Sequence, residues 1–319
     1  MTKLSYVIPC YRSAKTITGV VEEIAQTVAG MPGYEHEVIL VNDNSPDGTW
    51  PVLRGLAQEH DNITAVNLAR NFGQHAALMA GFHQVTGDII ICLDDDGQTP
   101  ACESPSLIAA IEEGHDVVYA AYDTKKQSGF RNLGSAINSK MTEWCLGKPE
   151  DLVINSYFAA KRFIIDEMTR YNNCYPYVIG LVLRATNNVC NVQVKHRARE
   201  NGSSGYTIGK LLSLWMNGFT SFSVKPLRMA TYAGFISSAL GVLYLLYIII
   251  HHFLEPGVPL GWSSMMVVML LLGGLVLVGL GIIGEYVGRI YMCVNSAPQF
   301  VIRDVVSPGR GEDVCRKDA

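Results

Sequence analysis

Apolar and polar positions alternate along the first 120 residues in two distinct rhythms. Short β-branched runs fall at 4–8, 37–41, 63–67, 89–93 and 116–119, each bounded by turn-forming residues. Between them, residues 16–28, 49–60, 75–85 and 104–113 carry the three-and-four spacing of amphipathic helices. Strands alternating with helices of this length predict a parallel sheet with right-handed crossovers, and therefore an α/β domain. Its ligand crevice is expected at the carboxyl ends of the strands, lined by residues 9–12, 42–47, 69–74 and 94–98. Two more strands are predicted at 155–160 and 189–194, and a mixed helical window at 128–146.

One strand carries unusual chemistry. Ile89-Ile90-Ile91-Cys92-Leu93 has the apolar character of a strand buried on both faces, and it runs directly into Asp94-Asp95-Asp96-Gly97-Gln98. Side chains alternate along a strand, so Asp94, Asp96 and Gln98 are expected in one row with Asp95 pointing the other way. Two converging carboxylates are hard ligands suited to Mg²⁺ or Mn²⁺, which keeps waters and takes phosphate oxygens as its remaining ligands. A solvated acidic turn is the plainer alternative, but three adjacent like charges repel at a place where open α/β sheets bind ligands.

The other turns are more ambiguous. The stretch Asn42-Asp43-Asn44-Ser45-Pro46-Asp47-Gly48-Thr49 reads as a strand-to-helix turn with Thr49 as its N-cap, or as a place where Asp43 accepts hydrogen bonds from a base or ribose. Gly73, in Arg70-Asn71-Phe72-Gly73-Gln74-His75, is either a plain helix start or a point where backbone approaches a ligand. No G-x-G-x-x-G follows the first strand and no G-x-x-x-x-G-K-[ST] occurs, which argues against the common dinucleotide and P-loop modes.

The second half changes character. Residues 196–206 are basic and then glycine- and serine-rich, as in a loop that closes over an anion. Residues 208–222 combine leucines and aromatics with lysines at both ends, which suits a helix lying in a membrane interface. Residues 229–252 and 265–283 are long, apolar and uncharged, enough for two membrane-spanning helices of about 229–252 and 263–286. Lys225, Arg228, Arg289 and Arg303 flank the outer ends of the pair and the short linker carries no Lys or Arg, so both ends are expected in the cytoplasm. Glu285 and Arg289, four apart, are expected to pair, and the glycines at 273–274 and 279–284 offer surfaces for close helix approach, within the chain or in a homo-oligomer. The chain after Ser307 reads as disordered. The expected organisation is thus a catalytic domain over 1–207, a juxtamembrane segment over 208–228, a hairpin over 229–292 and a cytoplasmic tail over 293–319.

Composition agrees with this split. A mean hydropathy of +0.18 with 49% hydrophobic residues is high for a wholly soluble enzyme, and the excess lies after Met229. A net charge of −4 offers no basic field for nucleic acid. Eight scattered cysteines without a C-x-x-C pair indicate free thiols in a reducing compartment, and no leader segment is expected before the first strand.

Taken together, the runs at residues 7–11, 71–75, 94–98, 222–228 and 281–291 resemble family 2 glycosyltransferases of the polyisoprenyl-phosphate (bactoprenol, undecaprenyl-phosphate) type, similar to dolichyl-phosphate mannose synthase. The resemblance implies a GT-A domain that holds a nucleotide-diphosphate sugar, a UDP-sugar above all, and a divalent metal, and that passes the sugar with inversion to a polyprenyl phosphate at the cytoplasmic face of the inner membrane. By position it implies nucleotide-sugar contacts from Pro9, Tyr11, Asp43, Asn71, Gly73, Asp94 and Asp95. Asp94, Asp96 and Gln98 would hold the metal and diphosphate, and Arg131, Ser135, Arg199, Ser204 and Tyr206 the acceptor phosphate.

This chain departs from the family pattern at three places. Arg12-Ser13 replaces Asn-Glu, Gly205 replaces a lysine, and Ser156 stands where the family carries an aspartate taken as catalytic base. A phosphate acceptor is largely ionised at pH 7 without a base, so Ser156 is expected to position the acceptor, in a catalytic set with the metal-holding Asp94 and Asp96, Asp151 being a distant reserve. Transfer to a lipid-linked sugar or diacylglycerol hydroxyl, which requires a base, and a catalytically silent nucleotide-sugar-binding membrane subunit are the alternatives.

Overall fold

In the computed structural model, residues 1–122, 140, 142–143, 147–195, 225–254, 261–308 and 310–313 are described. The chain divides into one compact unit of residues 1–208 with 296–319 and another of 209–295.

The first unit is built on a nine-stranded mixed sheet. Its strands are β1 (Thr2–Cys10), β2 (Tyr34–Asn42), β3 (Ile63–Leu68), β4 (Ile89–Cys92), β5 (Val117–Tyr122), β6 (Phe158–Lys161), β7 (Val189–Val194), β8 (Ile302–Ser307) and β9 (Arg310–Asp313), in spatial order β7-β5-β6-β4-β1-β2-β3-β8-β9. Strands β4, β1, β2 and β3 are mutually parallel, as the alternating pattern predicts. The helices between them are α1 (Ile17–Ala29), α2 (Thr49–Glu59), α3 (Gln74–Phe82) and α4 (Ser104–Glu112), followed by α5 (Arg162–Thr169) and α6 (Val178–Ala185). Chain order runs from β1 out to β3 and then returns to the other side of β1 for β4, so the sheet reverses direction beside β1.

The pleat of β1 shows why both faces need cover. Leu4, Tyr6 and Ile8 point to the side packed by α1, α2 and α4, where Ile17, Ile24, Leu53, Leu107 and Ile108 complete one core. Val7 points the opposite way with Ile39 and Val41, against Gly81 of α3. All four residues of β4 are buried, and burying each isoleucine there stabilises by roughly 1.5–3 kcal/mol.

The structure corrects several expectations. The sheet is not wholly parallel: β6 inserts antiparallel between β4 and β5. The chain beyond residue 293 is not merely a tail, since β8 pairs antiparallel with β3 and β9 with β8. The predicted disorder after Ser307 is overturned at 310–313, because a strand of unremarkable composition is stabilised by an edge that the preceding sequence cannot announce. Thr49 is not the N-cap of α2 but its first residue. Asp47 does the capping, its Oδ1 accepting the Thr49 N–H at 3.1 Å and the Thr49 hydroxyl at 2.5 Å. The expected helix at 128–146 and the interfacial segment at 208–222 lie outside the described residues, apart from short helical pieces at 140 and 142–143.

The second unit contains α7 (Lys225–Leu254) and α8 (Trp262–Val294), two long helices that pack as a hairpin. Both exceed the predicted spans, because the pattern that ends at a charge does not end the helix: Glu285 and Arg289 continue α8 and pair at 2.7 Å. Among the described residues, one helical stretch, Leu271–Val294, is long and apolar enough to cross a membrane. Large apolar side chains of both helices, including Phe235, Leu243, Leu271 and Leu277, are exposed. Between the helices lies a groove of about 590 Å³ lined by small residues such as Gly234, Gly241 and Gly279.

Close packing at the start of β4 gives a direct test. A Cβ on Gly87 would sit 2.6 Å from the Lys3 carbonyl oxygen and 2.6 Å from Ser5 Oγ, and the first of these is backbone in the central strand. Gly87→Ala is expected to destabilise the sheet domain by about 1–3 kcal/mol, measured as a shift in its denaturation midpoint. An unchanged midpoint would show that β1 and the 87–88 turn are not held this tightly.

Candidate active site at the carboxyl edge of the sheet

The reversal beside β1 leaves a crevice between the carboxyl ends of β1 and β4, the place where open sheets take ligands. Its wall on the β4 side is the acidic run. β4 ends at Cys92, and the chain turns through Asp95, Asp96 and Gly97, whose φ of +71° is the left-handed conformation that glycine adopts without strain. The run from Asp94 to Gln98 therefore leaves the strand and continues into a turn, where the expectation had an extended strand end.

Each carboxylate is held by different donors. Asp94 Oδ2 accepts the Ser156 hydroxyl at 2.6 Å, and its Oδ1 accepts the Gln74 side-chain amide at 3.2 Å. Asp95 points back across the crevice, as alternation predicts, and its Oδ2 accepts the Tyr11 backbone N–H at 2.9 Å. Asp96 Oδ1 accepts the Gln98 backbone N–H at 3.1 Å. Ser156 is itself fixed by Asn155, whose Oδ1 accepts the Ser156 N–H at 2.8 Å.

Electrostatics follow from this crowding. Burial pushes the Asp95 carboxyl up to about 6. The Tyr11 N–H and the Ser13 hydroxyl oppose the rise, and the charges of Asp94 and Asp96 add to it. Burial, then the charges of Asp94 and Asp96, raise the Tyr122 phenol, and a hydrogen bond to Asn155 opposes the rise. The buried thiols of Cys10 and Cys92, at the ends of the two strands, are raised by burial and by the adjacent carboxylates, so they remain neutral and serve as packing.

The β2 and β3 ends form the other wall. Asp43 is 4% exposed, and its two oxygens accept the backbone N–H groups of Phe72 at 2.7 Å and Gly73 at 2.9 Å. Burial raises its pKa and these two bonds partly offset the rise. Gly73 is the N-cap of α3, and its φ of +90°, which glycine adopts without strain, accompanies the N–H bond to Asp43. Asn71 reaches the Asp43 carbonyl at 3.2 Å. His75 follows in α3, with its ring edge-on to Tyr177 at 5.0 Å and its Nδ1 buried without a hydrogen-bond partner among the described residues.

The structure thus brings together Pro9, Tyr11, Asp43, Asn71, Gly73, Asp94, Asp95, Asp96, Gln98 and Ser156 on one edge. Asp151 is exposed on a separate turn. Arg131, Ser135, Arg199, Ser204 and Tyr206 lie outside the described residues. Sequence reasoning placed Gln74 in the crevice without its partner Asp94 and missed Asn155 and Tyr122, since neutral side chains that orient a carboxylate carry no signal until the fold brings them near it. Ser13 and Thr16 escaped for the same reason, although Thr16 Oγ1 donates to the Asp95 carbonyl at 2.6 Å.

No group of three or more His, Cys, Asp or Glu side chains is gathered as a metal cage among the described residues. The donor set nevertheless fits a hard divalent cation of the kind that is held by one or two carboxylates and completes its shell with substrate phosphates and water. Asp94 and Asp96, oriented by neutral partners, are the carboxylates that would supply such a pair.

With this geometry in hand, comparison supplies the class. Residues 5–168 match glycosyl transferase family 2, and residues 225–290 match the GtrB C-terminal hairpin. The chain belongs to glycosyl transferase family 2, with a GT-A fold and an appended hairpin of the GtrB type. Among solved structures it is similar to mannosyl-3-phosphoglycerate synthase from Rubrobacter xylanophilus, at 16% identity and a TM-score of 0.50 over 72% of this chain and 74% of that one. It is also similar to glucosyl-3-phosphoglycerate synthase from Mycobacterium tuberculosis in complex with Mn²⁺, uridine diphosphate and glucosyl-3-phosphoglycerate, at 18% identity and a TM-score of 0.50 over 67% of this chain and 76% of that one. At these identities the likeness is one of fold.

His75 makes the site's coupling to stability measurable. Burial pushes its pKa down to about 4 from an ordinary 6.5, so folding requires the neutral ring. The unfolded chain takes up a proton below pH 6.5 that the folded protein refuses until about pH 4, and stability is lost as pH falls through this window. Between pH 8 and pH 5 this amounts to about 2 kcal/mol. His75→Phe is expected to remove that part of the acid sensitivity, read as the difference between denaturation midpoints at the two pH values. Equal acid sensitivity in the variant and the parent would refute the assignment.

Proposed function

We propose that this glycosyltransferase moves a sugar from a nucleotide-diphosphate sugar, a UDP-sugar in the first instance, to a polyprenyl phosphate at the cytoplasmic face of a membrane, with inversion and with Mg²⁺ or Mn²⁺. The observation that carries the reading is the Ser156 hydroxyl donating to Asp94 at 2.6 Å. A sugar hydroxyl acceptor needs a base beside the reacting carbon. Here the residue bonded to Asp94 is a serine, which cannot remove a proton from such an acceptor. A phosphate monoester, with a second pKa near 6, arrives already ionised. The apolar hairpin supplies the other half of the argument, since an acceptor anchored in lipid gives a purpose to a membrane-inserted pair of helices on this enzyme.

On this reading each residue has a role. Asp43, locked by two backbone amides, presents the remaining lone pairs of its carboxylate at the β2 edge, where it would accept from the nucleoside. Pro9, Tyr11, Asn71, Gly73 and Asp95 shape the same pocket. Asp94 and Asp96, with Gln98, would hold the cation and through it the diphosphate. The cation supplies Lewis-acid neutralisation of the charge developing on the leaving nucleotide. Gln74 and Ser156 keep Asp94 in one orientation, so no reorganisation is required when the donor binds. Arg131, Ser135, Arg199, Ser204 and Tyr206 are assigned to the acceptor phosphate on family resemblance.

The membrane reading places α7 and α8 across the bilayer as a hairpin, with both ends on the cytoplasmic side. In the positive-inside sense, Lys225, Arg228, Arg289 and Arg303 mark that side.

Transfer in detergent, with Mn²⁺, undecaprenyl phosphate and a panel of UDP- and GDP-sugars, is expected to yield an acid-labile lipid product with one donor. Donor hydrolysis without lipid product would reassign the acceptor, and inactivity with nucleotide binding intact would favour a silent subunit. Asp96→Ala is expected to abolish turnover while the protein stays folded and membrane-bound. Ser156→Ala should lower kcat by roughly five- to tenfold, about the worth of one orienting hydrogen bond. A loss of a thousandfold or more would mean that Ser156 takes part in proton transfer, contrary to the phosphate-acceptor reading.

A further inference from the structure

The strand that follows the hairpin reaches the donor side of the crevice through a chain of hydrogen bonds. In β8, Asp304 stands opposite Asn67 of β3, and its Oδ2 accepts the Asn67 side-chain amide at 2.9 Å. Asn67 Oδ1 in turn accepts the side-chain amide of Asn42 at 2.8 Å. Asn42 Oδ1 accepts the Ser45 backbone N–H at 3.2 Å, and Ser45 Oγ accepts the Arg12 backbone N–H at 2.8 Å. Asn42 and Asn67 are 2% and 5% exposed, so water competes poorly for these amides.

Direction is the important property of this chain. A side-chain amide has a donor end and an acceptor end, and either orientation is acceptable in isolation. An ionised carboxylate only accepts, so Asp304 requires the NH₂ end of Asn67 to face it. The oxygen of Asn67 must then face Asn42, whose own NH₂ is committed to it, and the oxygen of Asn42 is left for Ser45. One charge on β8 thereby fixes two buried amides and the loop beyond them. Further bonds tie β8 to the neighbouring loop: Arg303 donates to the Ala69 carbonyl at 3.0 Å, and the Ala69 N–H donates to Val301 at 2.8 Å.

We infer that Asp304 is a positioning residue for donor binding, acting through Asn67 and Asn42 to hold the 42–47 loop and the Tyr11–Arg12 turn as the walls of the nucleotide pocket. Arg12 and Asn44 both have positive φ, 61° and 48°, unfavourable for side-chain-bearing residues, so the walls need such fixing. The inference rests on the proposed location of the donor nucleotide at this edge.

Its test uses the full chain in detergent. Asp304→Asn keeps the shape but lets the amide ladder reverse, and Asp304→Glu keeps the acceptor. Two quantities are read: the Kd for UDP in the presence of Mn²⁺, and amide hydrogen exchange at Arg12 and Ser45, with residues 107–111 of α4 as the internal reference. Asp304→Asn is expected to weaken UDP binding about fivefold, the net worth of one hydrogen bond, and to speed exchange at Arg12 and Ser45 but not in α4. Asp304→Glu should restore most of both, and kcat at saturating donor should change less than the donor KM. If Asp304→Asn does not fold, Asn67→Leu interrupts the same relay while leaving the backbone pairing of β8 in place, and the same two shifts are expected. A folded variant with unchanged Kd and unchanged exchange at Arg12 and Ser45 overturns the inference. Failure of the wild-type protein to bind UDP would overturn the donor-site reading instead, and the exchange measurement would still decide whether the relay exists.

Discussion

Three consecutive carboxylates at the end of a fully buried strand are the constraint around which this site is arranged. Left together on an extended backbone they would repel, and their partial burial adds to the cost of an uncompensated charge. The fold disperses them. Asp94 is taken by α3 and the segment before β6, Asp95 by the turn after β1, and Asp96 by the amide of Gln98. Elements far apart in sequence are drawn to one point by the need to satisfy these oxygens. The bond from Tyr11 to Asp95 spans the crevice where the sheet changes direction, so electrostatic relief and site geometry share one contact.

The same logic governs the β2 edge. Asp43 is buried as deeply as the apolar residues around it, and two backbone amides meet its charge where a basic side chain could have done so. Amides in a fixed loop give direction without adding a mobile cation. The Gly73 turn is what makes this available, because a residue with a Cβ would resist the positive φ that points its N–H at the carboxylate. Sequence shows a glycine in a loop; the carboxylate it serves lies 30 residues earlier.

What could be read from the chain, and what could not, divides along the same line. Strands β1 to β5 and helices α1 to α4 follow from periodicity because each has its own local pattern, and β7 falls at its predicted residues 189–194. The carboxylates are visible as residue types at a strand end, and Ser156 through the family resemblance alone. Hidden features depend on distant partners. The antiparallel insertion of β6 is decided by pairing with β4 and β5, and nothing in Phe158-Ala159-Ala160-Lys161 states a direction. Strand β8 pairs with a strand more than 230 residues earlier, and its amide contact to Asn67 spans 237 positions. Asn42 and Asn67 looked like ordinary residues at strand ends until their side chains were seen to meet.

Neutral partners are the feature that connects this geometry to transfer chemistry. An arginine or lysine bonded to Asp94 would fix its position but cancel the charge that a cation needs. Gln74 and Ser156 fix the position and leave the charge in place. Serine at 156 suits this orienting task on the proposed reading, because a neutral hydroxyl is too weak a base to take the proton that a sugar-hydroxyl acceptor would have to lose. On the proposed reading, an orienting hydroxyl and a self-ionised phosphate acceptor are two sides of one arrangement. A carboxylate at this position would add a fourth negative charge beside Asp94, Asp95 and Asp96, raising the electrostatic cost for a phosphate acceptor that has no proton to give up.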